Sequence, residues 1–233
     1  MTKRLEKIVK IWNLGKVDYA KALKIQNVVA SCHGNTTSDN VLLCLEHLPV
    51  YTVGIRNLQY SHREEVWLKE KGADFYRTNR GGLITFHGPG QLVVYPILNL
   101  KCFTPSMRWY VCQIERTVIN LCKKFNLEAE TSPHTGVWIK DNKVCAIGVH
   151  GSRFVTTHGL AINCATDLSW FDHIVPCGIE GKGVTSLSKE LNREVSTSEV
   201  LPLFLDSFCD IFQCNRVPIS STEVKCFLNK IQH

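Results

Sequence analysis

Long apolar runs are missing from this 233-residue sequence: the longest uncharged apolar stretch is Leu92 to Leu98, against about 20 residues for a membrane-spanning helix. No CxxC pair occurs among the 11 cysteines, whose number is odd, and this weighs against a zinc site. The amino-terminal residues hold no apolar signal-peptide core. Lys3, Arg4, Lys7 and Lys10, mixed with Ile8, Val9, Ile11 and Trp12, read either as the relic of a transit peptide or as a first β-strand. Linkers rich in Pro, Gly or Ser, internal repeats and low-complexity tracts are also lacking. One α+β domain over residues 1–233 follows.

Neither sign of charge is in strong excess. Lys plus Arg number 27 and Asp plus Glu 21, a net charge of +6 with an isoelectric point near 8.7. That falls short of the pI above about 9 usual in a nucleic-acid-binding domain, and neither an RNP pattern nor zinc-finger spacing accompanies it. No nucleic-acid or membrane partner is expected; an acidic protein partner explains the excess as well. Several cysteines replace apolar residues in periodic patterns, as Cys112 and Cys122 do, which predicts mostly buried, reduced thiols in a reducing compartment.

Asp18 can cap a helix carrying Tyr19, Leu23 and Val28 or Val29, and Asn40–Leu48 with Tyr51–Gly54 reads as strand. Ser61-x-x-Glu64, Ser196-x-x-Glu199 and Ser220-x-x-Glu223 are capping boxes that open helices. Phe75–Tyr95 reads as strand interrupted by a glycine-rich turn. From Pro105 the spacing of Tyr110, Ile114, Val118, Leu121 and Phe125 predicts the longest helix. Val137–Ile139 and Val144–Val149 read as a β-hairpin, followed by a strand at Phe154–Asn163.

Four segments have the residue types for chemistry. Arg80–Gln91 places four glycines, an arginine and a histidine between apolar strands, where backbone N–H groups can converge on an oxygen, yet it holds neither GxxxxGK[ST] nor GxGxxG. Pro176-Cys177-Gly178 presents a thiol on a turn, which raises Cys177 above the other ten as a nucleophile. Taken alone, Lys143 reads as a solvated hairpin lysine; a functional one needs a neighbouring acid or thiol. Thr156–Asn163 has a face of small residues, suited to an acyl chain or to a core. Ser186-x-x-Lys189 is more simply a helix cap than a serine–lysine nucleophile, and no GxSxG occurs.

Read together, RGGLITFHGPGQ at 80–91, GVWIKDNKVCAIG at 136–148, THGLAIN at 157–163 and HIVPCGIEGKGVTSL at 173–187 resemble the lipoyl(octanoyl) transferase family in order, spacing and wording. The resemblance covers about residues 12–214, with 215–233 left as a helical tail. It implies a domain of the biotin/lipoate protein ligase catalytic type, a mixed sheet flanked by helices. It also implies an ATP-independent acyltransferase that moves an octanoyl group from octanoyl-acyl carrier protein to a lysine of the glycine cleavage H protein or of the E2 subunits of 2-oxoacid dehydrogenases. No cofactor is expected, neither ATP nor a metal, since the carrier supplies its own phosphopantetheine.

Carried over residue by residue, the acyl-thioester cysteine falls on Cys177 and the lysine that lowers its pKa on Lys143. The substrate-binding stretches fall on Arg80, Gly81, Gly82, Leu83, Ile84, Thr85, Phe86 and His87, on Ala146, Ile147 and Gly148, and on Gly159, Leu160 and Ala161. Ile84, Val144, Ile147 and Leu160 are expected as walls for the acyl chain, and N–H groups near Gly81, Gly82 or Gly178 as oxyanion donors. Arg80 either meets the carrier, at its phosphopantetheine phosphate or an acidic helix, or ties its loop to the sheet. Phe86 stands where many members have tyrosine, Cys145 where alanine is common, and Gly54-Ile55-Arg56 is less basic than usual. The wording is nearest the animal members, which work in mitochondria; a bacterial-type cytoplasmic member is the alternative.

Overall fold

The computed structural model describes residues 7–33, 40–56, 60–175 and 182–232. In chain order the first elements are β1 (Ile8–Val17), α1 (Tyr19–Cys32), β2 (Val41–His47), β3 (Val50–Val53), α2 (His62–Glu70), β4 (Asp74–Arg77), β5 (Thr85–His87), β6 (Gln91–Ile97) and α3 (Met107–Lys124). There follow β7 (Val137–Ile139), β8 (Asn142–Ser152), β9 (Val155–Asn163), a 3-10 turn at Leu168–His173, β10 (Gly183–Val184), α4 (Leu187–Leu191), α5 (Thr197–Phe212), β11 (Asn215–Pro218) and α6 (Ser221–Gln232).

Strand alternation sets the layers. In β2, Val41, Leu43 and Leu45 join one apolar cluster while Leu42 and Cys44 join another, because successive side chains leave a strand on opposite faces. In β6, Val93, Tyr95 and Ile97 are set against Leu92 and Val94 in the same way. Both faces are therefore apolar and both are covered, by α3 and α5 on one side and by α1 and α6 on the other. The sheet is mixed and eight-stranded, in the order β10-β8-β9-β6-β2-β1-β11 with β7 beside β8. A second sheet, β4-β3-β5, packs its own cluster of Tyr51, Val53, Phe75, Ile84 and Phe86 beneath α2 and the 3-10 turn.

The helix starts follow their caps. Asp18 Oδ1 accepts from Lys21 N at 2.7 Å, and Ser61 with Glu64 and Ser220 with Glu223 bond reciprocally. At α5 only half the expected box forms: Ser196 accepts from Glu199 N, but the Glu199 carboxylate turns to Arg193. Ser186 caps α4, as its place before a helical run predicts.

Four expectations are corrected. Residues 215–218 are a strand parallel to β1 before the last helix begins, so the tail is not wholly helical. Phe75–Tyr95 is no single interrupted ribbon, since β4 and β5 lie in the small sheet and β6 in the large one. Phe154 sits with Arg153 in the β8–β9 turn, both at positive φ, and is half exposed rather than part of a strand. Cys112 is exposed while Cys122 is buried: the helix face that packs carries Tyr110, Ile114, Val118 and Leu121, and Cys112 lies off it.

Candidate active site

One edge of β8 is paired with β9 from Cys145 to Ser152. Its other edge is covered by β7 as far as Cys145, and Gly81 N–H donates to Val149 O at 2.9 Å. Ala146, Ile147 and Gly148 lie between those contacts, and there the edge opens into two adjoining cavities. The inner one is narrow, with about 40 Å³ open to the centre of a water-sized molecule, and is lined by Arg80, Gly82, Leu83, Thr85, His87, Ala146, Ile147, Gly148, Gly159, Leu160 and Ala161, together with Tyr19, Tyr95 and His158. The outer one, of about 500 Å³ by the same measure and partly open to solvent, shares Gly82, Leu83, Ile147 and Gly148 and adds Gly81, Val149, Lys143, Arg56, Val111 and Pro133–Thr135.

Small residues are needed where this loop and strand meet. A Cβ on Gly148 would lie 2.9 Å from Arg80 Cδ and 3.0 Å from Gly81 O; one on Gly159 would lie 2.1 Å from Val94 O. Either methyl would drive the loop or the neighbouring strand away from the cleft.

Arg80 is buried and is a loop tie. Nη1 donates to Gly81 O (2.9 Å), and Nη2 to Thr52 O (2.6 Å), Thr52 Oγ1 (2.9 Å) and Leu83 O (3.0 Å), which joins the glycine loop to β3. Of its two expected roles this geometry favours the second, although the side chain also lines the inner cavity. Gly81 N–H, a candidate oxyanion donor, is committed to Val149 O.

Lys143 is not the solvated hairpin lysine that its spacing alone suggests: the residue is 5% exposed. Its Nζ donates to Thr135 O at 3.2 Å and stands 4.7 Å over the Trp138 ring, facing the outer cavity. The backbone on either side is held by pairing with Trp138 of β7 and Val184 of β10, and Thr185 N–H donates to Lys143 O at 3.0 Å. Cys177 and Gly178 lie outside the described residues.

Ile84 and Phe86 do not join the cleft. In β5, Thr85 and His87 face the inner cavity, so the period of two turns residues 84 and 86 into the small sheet's core. Phe86 stacks on Trp170 with ring centroids 4.9 Å apart, and Ile84 lines a separate cavity with Tyr60, Trp67 and His173. The apolar stack also accounts for phenylalanine at 86: a phenol there would need a buried partner. Val144 is corrected likewise, being buried in the core on the α3 side of the sheet.

A family model described as the lipoyl protein ligase A/B catalytic domain matches residues 18–209. The chain belongs to that family. It is 60% identical over 208 residues to the mitochondrial octanoyl-acyl-carrier-protein:protein N-octanoyltransferase of Danio rerio, covering 88% of this chain and 93% of the relative. The Homo sapiens protein of the same name is 43% identical over 221 residues, covering 90% and 95%. Among solved structures, a lipoate-protein ligase A bound with ATP aligns at a TM-score of 0.76 with 14% identity, over 98% of this chain and 95% of that one, which is a likeness of fold.

In this member of the lipoyl protein ligase family, the cleft also holds residues that the motifs do not reach. Tyr19 and Tyr95 line it from α1 and β6, with His47 of β2 bonded to the Tyr95 hydroxyl and Gln26 of α1 to the His158 N–H; in the sequence all four read only as helix or strand residues. Three buried histidines are neutral, and their partners assign the protons. His47 Nδ1–H donates to Val17 O (2.8 Å), and its Nε2 accepts from the Tyr95 hydroxyl (2.7 Å). Gln91 Nε2 donates to Phe86 O and Asn163 Oδ1, so its Oε1 accepts from His87 Nδ1–H at 2.8 Å. His158 Nε2–H donates to Asn79 Oδ1 at 2.7 Å.

Burial, as the first cause, lowers His47 to about 4 and His87 and His158 to about 3 from the ordinary 6.5, and the Arg80 cation lowers the last two further. Between those values and 6.5 the unfolded chain binds more protons than the folded one. The resulting stability is fully present above about pH 6.5 and is lost as pH falls toward 4 and 3, at up to about 1.4 kcal/mol per pH unit for each histidine. The melting temperature followed by circular dichroism should therefore drop steeply from pH 6.5 to 4.5. A flat profile there would mean that the histidines take up protons in place.

Proposed function

We propose that this acyltransferase moves an octanoyl group from octanoyl-acyl carrier protein to a lysine of lipoate-dependent proteins through a thioester on Cys177. Octanoyl transfer for protein lipoylation is the activity named in its relatives at 43–60% identity, and it works in the mitochondrion, as theirs do. The H protein and the E2 subunits of 2-oxoacid dehydrogenases are the proposed acceptors. Neither ATP nor a metal takes part.

One observation carries the thioester step: Lys143 lies buried in the cleft wall, and the strand paired with its backbone, β10, begins six residues after Cys177. Six residues reach at most about 20 Å. The glycine loop, Lys143 and Ile147 surround the same opening, so an acyl thioester entering from the outer cavity can lay its chain against Ala146, Gly148, Leu160 and Ala161.

Lys143 takes the Cys177 proton, and the thiolate attacks the carrier's thioester carbonyl. The carrier's sulfur leaves and recovers that proton from Lys143. The neutral amine of the acceptor lysine then attacks octanoyl-Cys177; Lys143 takes a proton from the amine as the Cys177 thiolate departs. Exchange between thioesters is nearly isoenergetic, and formation of the more stable amide draws the sequence forward without a nucleotide.

Intact-protein mass spectrometry tests this. One octanoyl adduct should form with octanoyl-acyl carrier protein in the absence of ATP and pass to H protein. Activity that appears only with ATP and free octanoate would make the chain a ligase instead.

A further inference from the structure

Tyr19, His87, Tyr95 and His158 line the inner cavity but not the outer one, and the Tyr95 and His158 rings stand edge to face with centroids 6.4 Å apart. This stretch of wall is polar, and its donors are already engaged within the protein. The Tyr95 hydroxyl donates to His47, His87 Nδ1–H to Gln91 and His158 Nε2–H to Asn79, while the Tyr19 hydroxyl bonds Thr78.

His158 is held there in an unusual backbone conformation. Its φ is +57°, in the midst of β9, and the residue is 2% exposed. Few residues other than glycine adopt positive φ, and one persists in it only where the surroundings over-determine it. Here two contacts do so: the His158 N–H donates to Oε1 of the fully buried Gln26 on α1 at 2.8 Å, and its ring is anchored on Asn79 beside the glycine loop. Gln26, His158 and Asn79 thus form a strut from α1 through β9 to the turn that carries Arg80.

We propose that His158, set in place by Gln26, is the stop that measures the acyl chain, the point where the terminal methyl of an eight-carbon group ends. The assignment rests on the octanoyl-transfer reading above. An apolar end wall yields to a longer chain by a change of rotamer. Moving His158 instead breaks a buried hydrogen bond and leaves the Asn79 oxygen unpaired, so the wall is stiff and the length it admits is sharply bounded. Gln26 touches no substrate; it is a positioning residue that acts through the His158 backbone.

The test is the rate of enzyme-adduct formation from octanoyl-, decanoyl- and dodecanoyl-acyl carrier protein, in wild type, His158→Gly, His158→Asn and Gln26→Leu. Glycine accepts the positive φ while removing the ring, and asparagine tolerates the same φ with a shorter side chain. In His158→Gly the preference for octanoyl over dodecanoyl should fall about tenfold or more, with the dodecanoyl rate rising in absolute terms. His158→Asn and Gln26→Leu should shift it in the same direction by less.

A wild-type ratio in both soluble His158 variants, or an equal slowing of all three chain lengths, would overturn the proposal. Thermal-shift binding of free octanoate and dodecanoate to the same proteins needs no transfer. If wild type forms no adduct with any carrier, the transfer reading fails, and the two fatty acids still decide the stop: tighter dodecanoate binding in His158→Gly upholds it, and unchanged selectivity rejects it.

Discussion

Cys177→Ser should lower steady-state octanoyl transfer to H protein by at least about 10⁴-fold, with no octanoyl adduct in the mass spectrum. A serine hydroxyl beside an amine is far less nucleophilic than a thiolate, and an alkoxide is a poor leaving group when the acceptor lysine attacks. Four buried cysteines among the described residues do not stand ready to replace it. Burial alone pushes Cys44 and Cys122 up to about 12, Cys164 is pushed up to about 12 chiefly by burial, and Cys145 is driven well above the ordinary value. Those four are space-filling thiols inside the sheet and its helices, and their alkylation at neutral pH should be negligible in the folded protein. Substantial transfer or a persistent adduct in Cys177→Ser would remove this residue from the chemistry.

Lys143→Met is expected to cost about 10²- to 10⁴-fold in transfer, the range usual for a general acid–base group. Methionine retains most of the buried aliphatic stem that brings Nζ over Trp138, so the variant should melt close to wild type. Lys143→Ala, which also vacates that space, should lose stability as well as rate. Lys143→Arg should not rescue, because a guanidinium does not give up its proton to act as a base. The partition between the two half-reactions is the more telling readout: both adduct formation and its chase onto H protein should slow, since Lys143 holds a proton in each. Wild-type rates in a folded Lys143→Met would leave the lysine only the structural contact with Thr135 O and Trp138.

Several features of the fold follow from local chemistry and are legible along the chain. Asp18, Ser61, Ser186 and Ser220 begin helices where a side-chain oxygen is needed for unpaired N–H groups, and the 105–125 spacing puts Tyr110, Ile114, Val118 and Leu121 into the core. The hairpin through Lys140–Asp141 forms because Lys140 takes positive φ in a two-residue turn. Where local pattern was read without register, it misled. Ile84 and Phe86 lie within a motif yet face away from the cleft, since a stretch bordering a site still alternates its side chains between two faces.

By itself the sequence determined the family resemblance and most of the helix starts. Each depends on identity and spacing over a few residues, where covalent geometry and local hydrogen bonds decide the outcome. Tertiary structure alone decided that β3 and β5 leave the main sheet, that Lys143 is buried beside Trp138, and that Tyr19, Tyr95 and His158 line one cavity with Gln26 bonded to the His158 backbone. The physical reason is separation: Gln26 and His158 stand 132 residues apart. No local preference encodes a contact across that distance, which forms only when the packing of α1 against the sheet brings a buried amide to a strained backbone N–H.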